Sequence, residues 1–174
     1  GLCHLKETED LGYFGYLTKN NFEVVDRKFK VSNGPAIDEK NNKLYFSDSF
    51  NSKLHQYNLK NFERKTLIKF KKKDGFPDGI ALDNNNGLWV AHWAGAKVSR
   101  INLKNGKIDF SINLPALNIT SVTFFGNNLN HLFVTSAKYG VTGKVLKRYP
   151  RSGSCFIIKT NYKGIKIPYT NINF

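Results

Sequence analysis

The chain has 174 residues, of which 40% are hydrophobic and 14% aromatic, and this composition is typical of one folded domain. Its formal net charge is +14, but the lysines are scattered along the chain and form no basic stripe. We therefore expect neither a nucleic acid nor a membrane as partner, and no apolar run approaches the ~18 residues of a membrane span.

The first predicted elements are two strands, Gly12–Leu17 and Phe22–Phe29, which fit the outer half of a four-stranded unit. Three similar segments follow, each with a small polar residue, an apolar strand, an Asn-rich turn and a second apolar strand. Their second strands carry Leu44, Leu88 and Leu132, which are spaced at intervals of 44 residues. Three copies at one period indicate a repeat protein.

The second repeat shows its strands most clearly, at residues 80–82, 88–91, 98–103 and 108–112, between Asn- and Gly-rich turns. The third repeat continues with predicted strands near 144–149 and 155–159. No segment has a sustained apolar period of 3.6 residues, so helix should be scarce. Four strands every ~40–45 residues are typical of a β-propeller blade.

The fold prediction is therefore all-β: a partial β-propeller ring of about three to four four-stranded blades, in one domain over residues 1–174. Residues 1–30 would be outer strands of an incomplete blade, 31–75 and 76–117 two blades, and 118–174 the last blade with closing strands. An open β-meander that is complete in itself is the alternative. Since propellers close rings of about four to eight blades, an open edge favours self-association.

In each unit, the first strand should begin and the second should end at the same edge of the sheet, because the two form an antiparallel hairpin. This arrangement gathers polar residues at one rim: Asn33, Asp78 and Thr120-Ser121 at strand starts, and Asp48, His92 and Ser136 at strand ends. Converging polar groups are typical of a ligand or metal site, and carboxylate and amide oxygens suit Ca²⁺, Mg²⁺ or Mn²⁺ better than a structural zinc. Asn-Gly and Asp-Gly are also common turn dipeptides, so either residue alone favours a turn.

The histidine, tryptophan and cysteine residues are less informative about function. His92 can equally pack at a strand end, and Trp89 and Trp93 are expected to pack between blades. Cys3 and Cys155 are far apart and indicate neither a disulfide framework nor a zinc knuckle, so we expect a reduced, cytoplasmic setting. The sequence has no serine-hydrolase elbow, zincin helix, phosphate-binding loop or dinucleotide fingerprint.

Five segments come in the order and spacing of a known family: SNGPA from Ser32, LYFSDS from Leu44, FPDGIALD from Phe76, LWVAHWAGAKVSR from Leu88 and LFVTSA from Leu132. With these segments the chain resembles the regucalcin and gluconolactonase family of six-bladed propellers, also called the senescence marker protein family. The resemblance spans nearly the whole chain, and it matches the C-terminal part of a longer ring.

The resemblance implies a metal-dependent hydrolase of sugar lactones, a carboxylic ester hydrolase with a divalent cation on the propeller axis. It makes Asn33 and Asp78 metal ligands and Asp78 also the general base. Calcium is the favoured cation, with zinc, magnesium and manganese as alternatives. From their place at the rim, the remaining candidates would line the pocket or support the ligands: Asp48, His92, Ser121 and Ser136.

A third ligand of the family, a Glu of the first blade, precedes the part that this chain matches. The isolated chain is therefore expected to be incomplete as an enzyme. A non-catalytic propeller that binds calcium or a partner is the main alternative, and a paraoxonase-like or strictosidine-synthase-like hydrolase is a further one.

Overall fold

The computed structural model describes residues 9–167, which contain thirteen strands and one short α-helix. Cys3 and the two ends of the predicted domain lie outside the described residues, whereas the thiol of Cys155 is exposed. The strands are β1 (Gly12–Leu17), β2 (Phe22–Phe29), β3 (Ser32–Asp38), β4 (Lys43–Asp48), β5 (Lys53–Asn58), β6 (Arg64–Lys69), β7 (Phe76–Leu82), β8 (Gly87–Trp93), β9 (Lys97–Asn102), β10 (Lys107–Asn113), β11 (Asn118–Phe125), β12 (His131–Ala137) and β13 (Phe156–Lys159). The helix is α1 (Gly143–Arg148), and a turn of 3-10 helix covers Lys72–Asp74.

The strands form four antiparallel sheets in chain order: β1–β2, β3–β6, β7–β10 and β11–β13. Within each sheet, every strand pairs with the one that follows it, so each sheet is a meander. The turns before β4 and β8 place Asn42 and Asn86 in left-handed backbone, with φ of 52° and 53°. Asparagine tolerates that conformation better than most residues, and this accounts for the Asn-rich turns of the repeat. The all-β prediction is confirmed.

The first strands of the three larger sheets, β3, β7 and β11, lie side by side, and we call them the inner strands. Between the first two of these sheets, Leu54 and Leu88 are fully buried. Between the second and third, Trp89, Ile119 and Leu132 are fully buried. Because Leu88 and Leu132 are two of the repeated leucines, the sequence period corresponds to the stacking of one sheet on the next.

The predicted strand at 144–149 is wrong. That segment is helix α1, which has no buried residue, and the third repeat therefore has three described strands instead of four. Lys144, Leu146 and Lys147 are good helix formers, and the stretch lacks the alternation of buried and exposed side chains that a strand would need. The α-helix found within residues 9–167 has six residues, far fewer than a membrane-spanning helix requires.

A buried ion pair holds the middle sheet together. The carboxylate of Asp83 accepts hydrogen bonds from Arg100 Nε at 2.7 Å and from the Trp89 indole at 2.9 Å, and its side chain is fully buried. The guanidinium of Arg100 lies 4.2 Å from the centroid of the Tyr162 ring, which belongs to the segment after β13. This network ties the C-terminal segment to β8 and β9, and so fixes the edge of the sheet opposite to the candidate site.

Candidate functional site

The inner strands begin, and their partners β4, β8 and β12 end, at one common edge of the sheets, which we call the rim. Each inner strand has a β-bulge close to the rim: between Asn33 and Ala36, between Pro77 and Ile80, and between Ile119 and Ser121. Bulges bend a strand and redirect its side chains, and they are common next to active sites. Asn33 is the last paired residue before the bulge of β3, and Asp78 lies within the bulge of β7, so both residues stand at a bulge of their strand.

Two glycines let the inner strands approach each other at these bulges. Gly34 has φ of +93° and faces Ile80 of β7, whose Cδ1 would lie 3.2 Å from a Cβ at that position. A Cβ on Gly79 would lie only 2.8 Å from the Cα of Ser121 in β11. The structure thus brings the Asn33–Gly34 segment next to β7, and the Asp78–Gly79 segment next to Ser121.

Asp78 is a half-buried carboxylate without a basic partner: within residues 9–167, no lysine, arginine or histidine forms a salt bridge with it. Burial raises the pKa of Asp78 to about 6, and a hydrogen bond from the backbone of Gly79 partly opposes this rise. A carboxylate removed from water and left unpaired is electrostatically costly, and a bound cation would stabilise it. Asp78 thus has no basic partner even though the chain carries a net charge of +14, which makes it a candidate for binding a cation.

Asn33 is held by the next strand. Its Nδ2 donates a hydrogen bond to Oγ of Ser49 at 2.9 Å, and Ser49 is itself buried directly after β4. Since the amide nitrogen is used in this way, the amide oxygen Oδ1 is left as the acceptor that can face a ligand. The sequence reasoning missed Ser49, although it stands beside Asp48 in the LYFSDS segment.

Asp48 has a different environment from Asp78. Its side chain accepts hydrogen bonds from the backbone N–H of Lys30 at 3.1 Å and from Asn51 Nδ2 at 2.8 Å. Each of its two oxygens thus already has a donor, and the residue is buried. Asp48 therefore links the segment before β3 to the turn after β4, and it stabilises the backbone next to the rim.

His92 is fully buried at the end of β8, and its ring meets that of Phe70 edge to face with centroids 5.1 Å apart. Neither ring nitrogen has a hydrogen-bond partner among the described residues. Burial, assisted by the charge of Lys97, lowers the pKa of His92 to about 4, so the ring is neutral at physiological pH. The structure places this histidine in the packed layer beneath the rim.

The two serine candidates differ in their surroundings. Ser121 is exposed and contacts the backbone of Gly79, so it lies beside Asp78. Ser136 donates to the carbonyl oxygen of Ser154 at 2.6 Å and accepts from the backbone N–H of Gly153 at 3.0 Å. Ser136 thus holds the connection that leads into β13, and Ser121 is the serine that faces the site.

Two concave regions, of about 440 Å³ and 420 Å³, lie at the edge of the sheets opposite to the rim, near Asn84, Tyr162 and Leu82. They are shallow depressions between turns. The rim is a more convincing site than these depressions, because it has a carboxylate without a basic partner in the described part of the chain, an oriented amide, and a bulge in each inner strand. Among the described residues no group of three His, Cys, Asp or Glu could hold a metal ion.

Comparisons with known proteins agree with this architecture. A family model described as SMP-30/Gluconolactonase/LRE-like region matches residues 4–138. Regucalcin of Xenopus laevis is 34% identical over 151 residues, which cover 83% of this chain and 49% of the frog protein. Human regucalcin is 32% identical over 160 residues, which cover 87% of this chain and 51% of the human protein. The chain thus spans about half the length of the curated relatives it matches.

A solved structure with a similar fold is that of a calcium-binding protein, regucalcin, from Agrobacterium tumefaciens. Its TM-score is 0.87 at 19% identity, and the match covers 98% of this chain and 59% of that one. At such identity the likeness shows the fold alone, and it confirms a β-propeller whose ring is only partly present in this chain.

Proposed function

The chain belongs to the SMP-30/gluconolactonase/LRE-like family, and from this premise we propose that its rim binds a divalent cation, calcium in the first place, and hydrolyses a sugar lactone. Membership in a family that includes gluconolactonases supports a hydrolase of the lactonase type. The metal, the lactone and the roles of single residues are the content of the proposal.

One observation carries the proposal: Asp78 and Asn33 stand at the bulges of adjacent inner strands, one with a carboxylate that forms no salt bridge within residues 9–167 and the other with a free amide oxygen. Both are hard oxygen donors, which Ca²⁺, Mg²⁺ and Mn²⁺ prefer. Burial raises the pKa of Asp78 to about 6, and a cation beside the carboxylate would offset the cost of that burial. These two residues fit a cation, and a third ligand would have to come from outside the described part of the chain.

The reaction follows from the same carboxylate. A divalent cation held by Asn33 and Asp78 would polarise the lactone carbonyl and stabilise the negative charge that develops on its oxygen. Without a cation, burial raises the pKa of Asp78 to about 6; a bound cation would lower it and keep the carboxylate ionised, which a general base requires. Its carboxylate would accept a proton from a water molecule, whose oxygen bonds to the carbonyl carbon. The ring C–O bond then breaks, and Asp78 returns the proton to the leaving oxygen, which gives a hydroxy acid.

The test follows the hydrolysis of D-glucono-1,5-lactone in a pH-stat. The unsubstituted protein and its Asp78→Asn variant are each measured with and without EDTA. We expect both EDTA and the substitution to reduce the rate to that of the spontaneous reaction. Asp38→Asn, at the opposite end of β3, is the matched control and should leave the rate unchanged. Activity that survives chelation and the loss of Asp78 would contradict the proposal.

A non-catalytic, calcium-binding propeller is the second candidate, because the oxygens of Asn33 and Asp78 could hold a cation without any turnover of a lactone. The Agrobacterium tumefaciens neighbour is likewise described as a calcium-binding protein. Calorimetry and the lactone assay together separate the two candidate functions. The second function predicts that Ca²⁺ binding releases or absorbs heat, that Asp78→Asn abolishes this heat, and that the unsubstituted protein hydrolyses no lactone.

A further inference from the structure

Four aromatic side chains form a row along the rim: Phe50, Phe76, Trp93 and Tyr139. The rings of Phe50 and Phe76 have centroids 4.7 Å apart and are tilted by 50°. Phe76 and Trp93 are opposite each other in the ladder of β7 and β8. The rings of Trp93 and Tyr139 have centroids 6.3 Å apart and are tilted by 42°. The row, which we call the aromatic row, thus extends over all three larger sheets.

The aromatic row borders the candidate cation site. Phe50 directly follows Ser49, the residue that holds the amide of Asn33. Phe76 precedes Asp78 by two residues in β7. A ligand whose carbonyl group is presented to Asn33 and Asp78 would therefore have the aromatic row along its side.

The four rings are not part of the hydrophobic core. Trp89, the other tryptophan, is fully buried and packed by Phe110, Phe124 and Tyr162, as expected for a residue between blades. Trp93, by contrast, is half-buried at the rim, and Tyr139 is 79% exposed. Large aromatic rings left open beside polar groups are typical of ligand-binding surfaces.

We propose that the aromatic row is a stacking subsite for the ring of a sugar lactone, an inference that rests on the function proposed above. A sugar ring presents C–H bonds on one face and hydroxyl groups at its edge. An aromatic ring can pack on the C–H face, while Ser121 and Asp78 remain available to the polar edge. The row then determines which ring is accepted and how it is oriented, and it takes no part in the proton transfers.

The experiment titrates D-glucono-1,5-lactam, the amide analogue that does not hydrolyse, into the chain and follows tryptophan fluorescence. Trp93 should respond to the ligand, and Trp93→Phe, which leaves Trp89 as the only tryptophan, should abolish the response. Tyr139→Ala should weaken binding roughly two- to tenfold, the usual range for one aromatic contact. Tyr139 is exposed, so its removal should leave the fold intact, and a thermal melt checks this.

Tyr16→Ala is the matched control, because Tyr16 is also an exposed aromatic residue in a stacked pair, with Phe62, away from the rim. It should leave lactam binding unchanged. The proposed subsite would be overturned if Tyr139→Ala and Phe50→Ala left the affinity for the lactam unchanged. It would also be overturned if the unsubstituted chain did not bind the lactam. Binding of dihydrocoumarin, an aryl lactone, without binding of the lactam would overturn its assignment to sugars.

The subsite and the proposed function can fail separately. Lactam binding that depends on the aromatic row, in a protein that hydrolyses no lactone, would refute the hydrolase and leave the subsite in place. Hydrolysis that depends on Asp78, but with the same KM in Tyr139→Ala and Phe50→Ala, would support the hydrolase and refute the subsite.

Discussion

The side-chain amide of Asn33 is oriented by Ser49, whose Oγ accepts a hydrogen bond from Nδ2 at 2.9 Å. The two residues belong to different strands of one sheet, Asn33 to β3 and Ser49 to the end of β4. Ser49 is buried, so water does not compete for this contact, and the amide oxygen is presented to the rim without a loss of rotamer freedom on binding.

The first prediction concerns this contact. Ser49→Ala should weaken Ca²⁺ binding by about tenfold, because the Asn33 amide is then free to rotate and its oxygen is no longer held toward the cation. Isothermal calorimetry measures the change. Ser47→Ala is the control: Ser47 is equally buried, but its Oγ has no hydrogen-bond partner among residues 9–167, and its loss should leave Ca²⁺ affinity unaltered. Equal effects of the two substitutions would refute a positioning role for Ser49.

A second prediction concerns the close approach of β7 and β11. Gly79→Ala should lower the free energy of unfolding by about 1–3 kcal/mol, because the new Cβ would come within 2.8 Å of the Ser121 Cα and one strand must move. Chemical denaturation provides the measurement. The double variant Gly79→Ala with Ser121→Gly removes the Ser121 side chain but not its backbone, so it should recover only part of the loss. No loss in the single variant would show that the strands are not held together here.

The buried ion pair of the middle sheet gives a third prediction. Asp83→Ala should cost about 3–5 kcal/mol, because the Arg100 guanidinium, whose side chain is only 4% exposed, keeps Asp109 but loses its buried partner, and the Trp89 indole N–H loses its acceptor. Arg64→Met is the control. Arg64 forms a more exposed pair with Asp26 at 3.3 Å, and its loss should cost less than about 1 kcal/mol. Similar losses in the two variants, measured as shifts of the urea midpoint, would contradict this ranking.

The sequence predicted the architecture well wherever the spacing of residues along the chain reflects how one sheet packs on the next. The 44-residue spacing of Leu88 and Leu132 arises because each leucine must fill the layer between two sheets, so the period revealed the stacking. The same period predicted that Asn33 and Asp78 share one rim. The segment at 144–149 failed because its few apolar residues fit either period, and helix propensity decided.

The environment of the candidate site could not be predicted in the same way. Asp48 and Asp78 look alike in the sequence, but the structure gives donors to both oxygens of Asp48 and leaves Asp78 without a basic partner. That difference depends on contacts with Lys30, which is 18 residues away in the sequence, and with Asn51, and the repeat period predicts neither contact. The Asn33–Ser49 contact and the aromatic row depend on strand pairing and on packing between sheets, and they escaped notice for the same reason.

The fourth prediction is a loss of stability in acid. Burial, with Arg64 and Lys53 nearby, lowers the pKa of His55 to about 4, and burial with Lys97 does the same for His92. An unfolded histidine has a pKa of about 6.5, so between pH 6.5 and 4 the unfolded state binds more protons than the folded state. Stability from the neutral histidines is therefore complete above pH 6.5, and it is lost as the pH falls to 4, by about 3 kcal/mol per histidine at most.

Thermal melts between pH 4 and 7.5 measure this loss. His55→Gln and His92→Phe should each flatten the decline of the melting temperature, because each removes one group that takes up a proton on unfolding. His131→Gln, which changes a half-buried histidine at the surface end of β12, is the control and should leave the slope as it is. A decline that is equally steep in all three variants would assign the acid sensitivity to other groups.

The fifth prediction concerns the last sheet, whose outward face is apolar. Phe133 and Ile157 are opposite each other in the ladder of β12 and β13 and are 36% and 66% exposed, and Phe125 packs edge to face on Phe133. In a closed ring another blade would cover such a face, so we expect the 174-residue chain to self-associate through it. Because each copy carries a net charge of +14, the association should strengthen as salt screens the repulsion between copies. Sedimentation at low and high NaCl concentration measures this change.

Ile157→Lys should shift the chain to monomers, whereas the control Val145→Lys, on exposed helix α1, should not. A chain that is monomeric at both salt concentrations would contradict self-association through the apolar face of β12 and β13. Equal effects of the two substitutions would contradict it as well, since Ile157 would then not lie in the contact between copies.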